Sequence, residues 1–236
     1  MNLKFILLIL SGNSRCKILN RKGDATMTAI DKNDLAMLQK AKKNLSAMDL
    51  SGANLEGIDL SSGNLISTNF KESNLKNGNF ASSKLDSADF TKADLSCADF
   101  SGAKLFKTIF FQAKLSETNF TEADLMGANL SSANLSGANL SLCTLTEANL
   151  IDSDLTGANL KGSKLIGRFT REGYFSRGAN LTRCILKEAN LSQTDCHGVD
   201  IPDTDLRGVN LSNANLIEAD LRRANLSGAN LTGAKL

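Results

Sequence analysis

From Leu45 to Leu165 every fifth residue is Leu or Phe, without exception. That run holds 25 central positions, and a second run from Leu181 to Leu236, shifted in phase by one residue, adds 12 more. Of these 37, all but Cys196 are Leu, Phe or Ile. No regular helix accepts such a period: five steps of roughly 100° leave a net turn of about 140°, so the apolar set would wind around the cylinder instead of forming a stripe. A flat strand fails too, because side chains alternate with period two and residues five apart face opposite sides. The pattern closes only if each unit carries a corner that resets the parity. Each unit is then a short extended segment plus a turn, and successive coils stack with backbones paired about 4.8 Å apart.

The slots around the central residue fit that geometry. Two places before it stands a small side chain, as at Ala53, Ala88, Ala93, Ala128, Ala138, Ala214 and Ala229. Residues two apart share a side, so this slot points inward with the central one and fits near the corner, where space is short. Between them stands most often Asn or Asp, as at Asn54, Asp89, Asn129 and Asp220, which points out.

These residues carry a resemblance. Ala128-Asn129-Leu130-Ser131, and in variant form the stretch from Ala53, resemble the pentapeptide repeat family, and the resemblance covers 45–236. It implies an all-β fold, a right-handed quadrilateral β-helix with four units per coil and about nine coils. Residues twenty apart then stack. Phe70, Phe90 and Phe110 form one column and Phe80, Phe100 and Phe120 a second on the opposite face, so that aromatic packing fills three coils. On the outside, Lys84, Lys104, Asp124 and Lys164 fall on one line, where adjacent lysines make a solvated face and not a stabilising network.

Three segments stand outside the repeat. Residues 1–30 read as a loosely ordered leader: the apolar run at 5–10 is only six long, no small-residue cleavage site follows, and Met27 offers an alternative start. Residues 31–44 read as a short helix with an Asp start, Leu35 and Leu38 on one face, and Lys40, Lys42 and Lys43 in its last turn, placed to cap the first coil. The repeat is interrupted at 166–180. That stretch holds the one Tyr of the chain together with Arg168, Phe169, Arg171, Tyr174, Phe175 and Arg177, residue types that anchor interfaces. Two readings stand for it, a bulged coil with Tyr174 and Phe175 tucked against the core and a partner-binding loop. The last unit ends on the central residue Leu236, which would present an apolar edge, and the family resemblance implies a homodimer through C-terminal ends.

Chemistry is scarce. With one His and outward side chains that diverge from unit to unit, no nucleophile and base converge, so no enzyme activity is expected. Cys196 occupies an inward slot and its neighbour His197 an outward one, which keeps them from acting on one ion or one substrate. Asp195, Asp200 and Asp205 fall on three different faces, and Asp203-Thr204-Asp205 lacks the glycine and final glutamate of a calcium loop. Cys143 and Cys184 sit in small inward slots, Cys16 and Cys97 outside the buried pattern, and five unmatched cysteines fit reduced thiols in a cytoplasm. Neither cofactor, metal nor small-molecule substrate is expected.

The balance of 27 Lys+Arg against 25 Asp+Glu lacks the cationic cluster of a nucleic-acid binder. The leading expectation is a non-catalytic scaffold, a rigid rod that presents its surface to a protein partner. Two alternatives are carried. One is the DNA mimicry that the resemblance associates with binding of DNA gyrase and quinolone resistance. Against it, 45–236 carry 22 acidic and 18 basic residues, only a mild anionic excess. The other is an exported or membrane-associated effector, which rests on the leader alone.

Overall fold

The computed structural model of the chain describes residues 38–40, 44–166 and 178–236. Each unit forms a three-residue extended segment, inward-outward-inward, and a two-residue turn, and each outward residue makes a parallel bridge to the residue twenty further on, from Asp49↔Asn69 to Asn215↔Lys235. Four segments therefore complete one coil of a β-helix. We number the faces by their segments: face 1 contains Leu65 and Leu85, face 2 Phe70 and Phe90, face 3 Leu75 and Leu95, face 4 Phe80 and Phe100.

The turns explain how a five-residue unit resets its parity. The N–H of the small residue bonds to the carbonyl of the preceding central residue, as in Met48 N to Leu45 O at 3.2 Å. The second turn residue has φ between 55° and 72° in every turn described, 24 times in a residue other than glycine. Left-handed backbone costs an L-residue roughly 1–2 kcal/mol. No Val, Ile or Thr occurs there, since branching at Cβ makes that conformation worse. The strain is offset because the turn's amide is spent on the next coil: Ala47 N reaches Ile66 O at 2.9 Å and Gly52 N reaches Lys71 O at 2.7 Å. Leu142 is the bulkiest aliphatic residue in this slot and is 57 % exposed, with its Cδ2 lying over Gly162 one coil on.

Inside, the central residues are almost wholly buried up to Leu216. The six phenylalanines form the two expected columns. Phe70, Phe90 and Phe110 stack at 4.8 and 5.1 Å with planes within 4°, and Phe80, Phe100 and Phe120 stack at 4.7 and 5.1 Å. The columns also meet edge-to-face across the axis at 5.8–6.0 Å, so each inner ring has two stacked and two perpendicular neighbours. Buried threonine hydroxyls in the small slot are satisfied by the coil before, Thr68, Thr108, Thr118 and Thr204 donating to carbonyls 23 residues back, whereas Ser73, Ser83 and Ser153 donate to the carbonyl three residues back. The final coil is less covered, with Leu221, Leu226 and Leu231 partly buried and Leu236 80 % exposed.

Around the interruption the bridges change from a spacing of 20 to one of 31: Asn149↔Asn180, Asp154↔Ile185, Asn159↔Asn190 and Lys164↔Asp195. The one-residue shift in phase is thus eleven residues counted modulo five. Ala179 N bonds to Leu165 O at 2.7 Å, the counterpart of bonds such as Met48 N to Leu45 O that close the regular turns. The interruption therefore falls at the turn between face 1 and face 2, and 167–177 lie outside the described residues. The regular fold resumes at Ala179. The residues singled out for the loop, Arg168, Phe169, Arg171, Tyr174, Phe175 and Arg177, lie outside the described residues, as do the leader and most of the expected capping helix. Of that helix, 38–40 form a helical turn whose Leu38 joins the core.

Candidate functional site

The four faces are not equivalent. Face 4 carries Asp59, Asn79, Asp99 and then six asparagines, Asn119, Asn139, Asn159, Asn190, Asn210 and Asn230. From Asn159 onward each amide Nδ2 donates to the Oδ1 of the asparagine one coil before, at 3.1–3.3 Å. Each Oδ1 also accepts the backbone N–H two residues on, as Asn190 does from Ser192 and Asn210 from Ser212, both at 3.1 Å. The result is a neutral, self-satisfied ladder.

Face 2 and its two edges are different. The edge between faces 1 and 2, where residues 167–177 attach, holds Ile66, Phe106, Met126, Ile166 and Ile217 in the first turn position. The edge between faces 2 and 3 adds Phe111 and Ile151. The edge between faces 3 and 4 has no apolar residue in that position, only Glu56, Lys76, Ser96, Ser116, Ser136, Thr156, Lys187, Arg207 and Ser227. Sequence reading singled out the insertion but missed this apolar edge. The signal was present in Phe106, Ile109 and Phe111, three apolar residues close together, of which Ile109 stands in a face 2 slot that otherwise holds only Asn or Asp.

A second feature that sequence reading missed runs along the edge between faces 2 and 3. Asp152, Arg183, Asp203 and Arg223 alternate in sign from coil to coil. Arg183 grips Asp152 with two hydrogen bonds of 2.6 and 2.8 Å, and Arg223 grips Asp203 in the same way. The guanidinium of Arg183 holds the Asp152 carboxyl below its usual range, and Arg223 does so for Asp203. Asp220 is brought down to about 2 by Arg222. The Arg183 to Asp152 pair ties together the coils on either side of the insertion.

Among the described residues, the acidic side chains that sequence singled out do not come together. Asp195, Asp200 and Asp205 bridge to Lys164, Asn180 and Ile185, on three faces. Among the described residues no three His, Cys, Asp or Glu side chains come close enough to hold a metal ion, and no described helix is long and apolar enough to cross a membrane. Cys196 is buried while the imidazole of His197 lies at the surface, 3.7 Å from Glu218 Oε2.

Cys143, Cys184 and Cys196 are buried, and burial pushes each thiol up to about 12. Cys143 and Cys184 donate to the carbonyls of Phe120 and Leu150, both at 2.8 Å. Ellman's reagent followed by peptide mapping should find Cys97, which is exposed, labelled in the native protein and these three labelled only in denaturant. The ordinary value of 9.0 lies below the folded value, so the fold favours the protonated thiol. That contribution is complete below pH 9.0 and is lost as the pH rises toward about 12. Replacing Cys143 and Cys184 with alanine, the usual occupant of their slot, should therefore reduce the alkaline fall of the urea midpoint. An unchanged alkaline fall in the double variant would contradict this assignment.

The family profile "Pentapeptide repeats" matches in eight copies, over residues 44–77, 79–110, 110–141, 137–167, 177–212 and 204–236. Among solved structures, the chain is similar to HetL, a pentapeptide repeat protein involved in heterocyst differentiation regulation from the cyanobacterium Nostoc, at 32% identity over 86% of this chain and 92% of that one, with a TM-score of 0.34. It is similar to a pentapeptide repeat protein of the Arabidopsis thaliana thylakoid lumen at 31% identity, over 52% of this chain and 72% of that one, with a TM-score of 0.30. It also matches a trypsin-treated variant of QnrB1, a plasmid-mediated fluoroquinolone resistance protein, at 21% identity over 83% of this chain and 86% of that one, with a TM-score of 0.44. No curated protein matches the chain. The repeat read from the residues, the coils that close every twenty and the profile matches along nearly all of them agree, and the chain belongs to the pentapeptide repeat family.

Proposed function

We propose that this chain is a non-catalytic scaffold, a rod whose outer surface binds a protein partner. The observation that carries the reading is the divergence of its polar groups. Consecutive outward side chains point to different faces, and those on one face form ladders bonded to themselves, such as the face 4 asparagines. Catalysis needs groups that meet at one atom, whereas a ladder offers a long regular surface for recognition. The test is affinity purification with the full chain, scored for a stoichiometric protein that survives a competing wash. Recovery of no such protein under any growth condition would sink the scaffold reading.

Gyrase-directed DNA mimicry is a narrower form of the same reading. It requires a dense run of free carboxylates, and this rod instead neutralises many of its own. Asp89 pairs with Lys71 at 3.0 Å and Asp94 with Lys76 and Lys114 at 3.4 and 3.5 Å, while Asp152, Asp203, Asp205 and Asp220 are held by arginines. The charge argument therefore favours another partner. A supercoiling assay with purified gyrase decides it, and inhibition or quinolone protection at stoichiometric protein would reinstate the mimic.

A further inference from the structure

We propose that the apolar step on face 2 formed by Phe106, Ile109 and Phe111, with Lys107 beside it, docks an acidic protein segment that carries aliphatic or aromatic anchors. The proposal rests on the scaffold reading and assigns it a place on the rod and a partner chemistry.

The first argument is what the fold forgoes at this step. In the coils before and after, the outward residue on face 2 caps the turn that follows: Asp89 Oδ1 accepts from Thr91 N at 3.0 Å, and Asn129 Oδ1 accepts from Ser131 N at 3.1 Å. Ile109 bridges between those two residues and has no oxygen with which to cap Phe111. It also interrupts the polar column on its face. Phe106 and Phe111 stand in turn positions that face 4 fills with Ser, Thr, Ala or Lys. All three are half-buried and none belongs to the core, where Phe110 and Thr108 already fill the inward slots of the same unit. Ile109 breaks the Asn or Asp rule of its own face, and with apolar turn residues on both sides it makes a contiguous outward step that marks a surface selected for something else. Ile185, the other apolar residue in an outward slot among the described residues, stands on face 3 between Asp154 and Asp205 and has no such neighbours.

Charge selects the occupant. The carboxylates nearest the step on its N-terminal side, Asp89 and Asp94, are already matched by Lys71, Lys76 and Lys114. For both, burial would raise the carboxyl, but hydrogen bonds from the neighbouring turn and the lysine charges outweigh it and hold the group ionised. Lys92, Lys104 and Lys107 pair with no carboxylate among the described residues, although Glu72, Asp86 and Asp124 stand one coil from Lys92, Phe106 and Lys104 in turn. Lys107 Nζ sits 5.1 Å over the Phe106 ring. An apolar step ringed by unspent cations is complementary to apolar anchors set among Asp or Glu. A basic segment would meet the same lysines in repulsion.

The probes are two fluorescein-labelled peptides with the same alternating Leu and Phe anchors, one with Glu between them and one with Lys. Anisotropy should show the Glu peptide bound by the full chain and the Lys peptide bound at least tenfold more weakly. The variant F106S/I109N/F111S gives positions 109 and 111 the residue types of the coil after it, Asn129 and Ser131, and position 106 the serine that Ser46 supplies on the same edge, so it should melt at or above the wild-type temperature while binding the Glu peptide at least tenfold more weakly. Lys107→Glu should weaken the Glu peptide and strengthen the Lys peptide. Equal binding of both peptides, binding unchanged in the triple variant, or no binding of the Glu peptide up to about 1 mM, where affinity falls to that of a nonspecific contact, would each overturn the proposal. Ultracentrifugation adds a further arm: a dimer that the triple variant abolishes would make a second copy the occupant and overturn the acidic segment. If the triple variant still retains the partner recovered by the full chain, this docking step fails while the scaffold reading stands.

Discussion

Phe90→Ala is expected to cost the rod about 3–5 kcal/mol, near the upper end for burying an empty ring-sized space. Phe90 is fully buried, stacked on Phe70 and Phe110 and met edge-on by Phe80 and Phe100. Its neighbours cannot collapse into the gap, because each coil is pinned by backbone bonds to the coils on both sides, as Phe90 N is to Ile109 O at 2.7 Å. Phe70 has one stacked and one perpendicular partner, so Phe70→Ala should cost visibly less. Phe90→Leu, which puts the usual core residue in the slot, should cost roughly 1–2 kcal/mol. Urea unfolding followed by circular dichroism gives the order, and hydrogen exchange of the amides around 88–111 localises the loss if unfolding is not two-state. Equal losses for Phe70→Ala and Phe90→Ala would mean that the interlocked rings add nothing beyond buried area.

The second large effect concerns where the chain accepts extra residues. One glycine inserted between Ala133 and Asn134 should cost about 3 kcal/mol or more, because a one-residue slip turns inward positions outward. Ala133 and Leu135 are buried on either side of Asn134, and the bond from Asn134 N to Ala113 O would be lost with the register. Three residues inserted instead between Ser131 and Ser132, the two turn positions, should cost only about 1 kcal/mol of loop closure. The chain already performs the larger version of this experiment at 167–177. Deleting those eleven residues joins Leu165-Ile166 to Gly178-Ala179-Asn180-Leu181, a unit of correct length with Gly in the left-handed position. The deletion should fold with a melting temperature equal to or above that of the full chain. If it unfolds the rod, Tyr174 and Phe175 belong to the core after all, and the view of the segment as a graft is wrong.

Much of this was legible from the period alone. The inward and outward slots, the two phenylalanine columns and the burial of Cys143, Cys184 and Cys196 all follow from parity and a count of twenty. The insertion was visible only as a phase shift of one, because counting modulo five discards ten of its eleven residues; the bridge from Asn149 to Asn180 restores them. The alternation of Asp152, Arg183, Asp203 and Arg223 was hidden for the same reason, since its first pair spans 31 residues. The left-handed turn position could not be read from glycine alone, because 24 of its 35 described occupants are other residues. The consistent absence of Val, Ile and Thr from it was the available signal. The apolar step at Phe106, Ile109 and Phe111 lay beside the core column of Phe110, and a search for periodic aromatics absorbs it there.

The stacked rings fix one more property of the rod, its pitch. They repeat every 4.7–5.1 Å, and any partner brings a period of its own. An extended strand lying along the axis advances about 3.3 Å per residue, so three of its residues keep step with two coils. An α-helix advances about 5.4 Å per turn and gains roughly half an ångström on the rod at each coil. After about five turns the drift amounts to half a coil spacing, and its side chains meet the ridges instead of the gaps. The lattice of this surface thus works as a vernier: it can grip a short helix or a longer extended segment, and the length over which a partner stays in register is set by the spacing of the coils before any particular side chain is chosen.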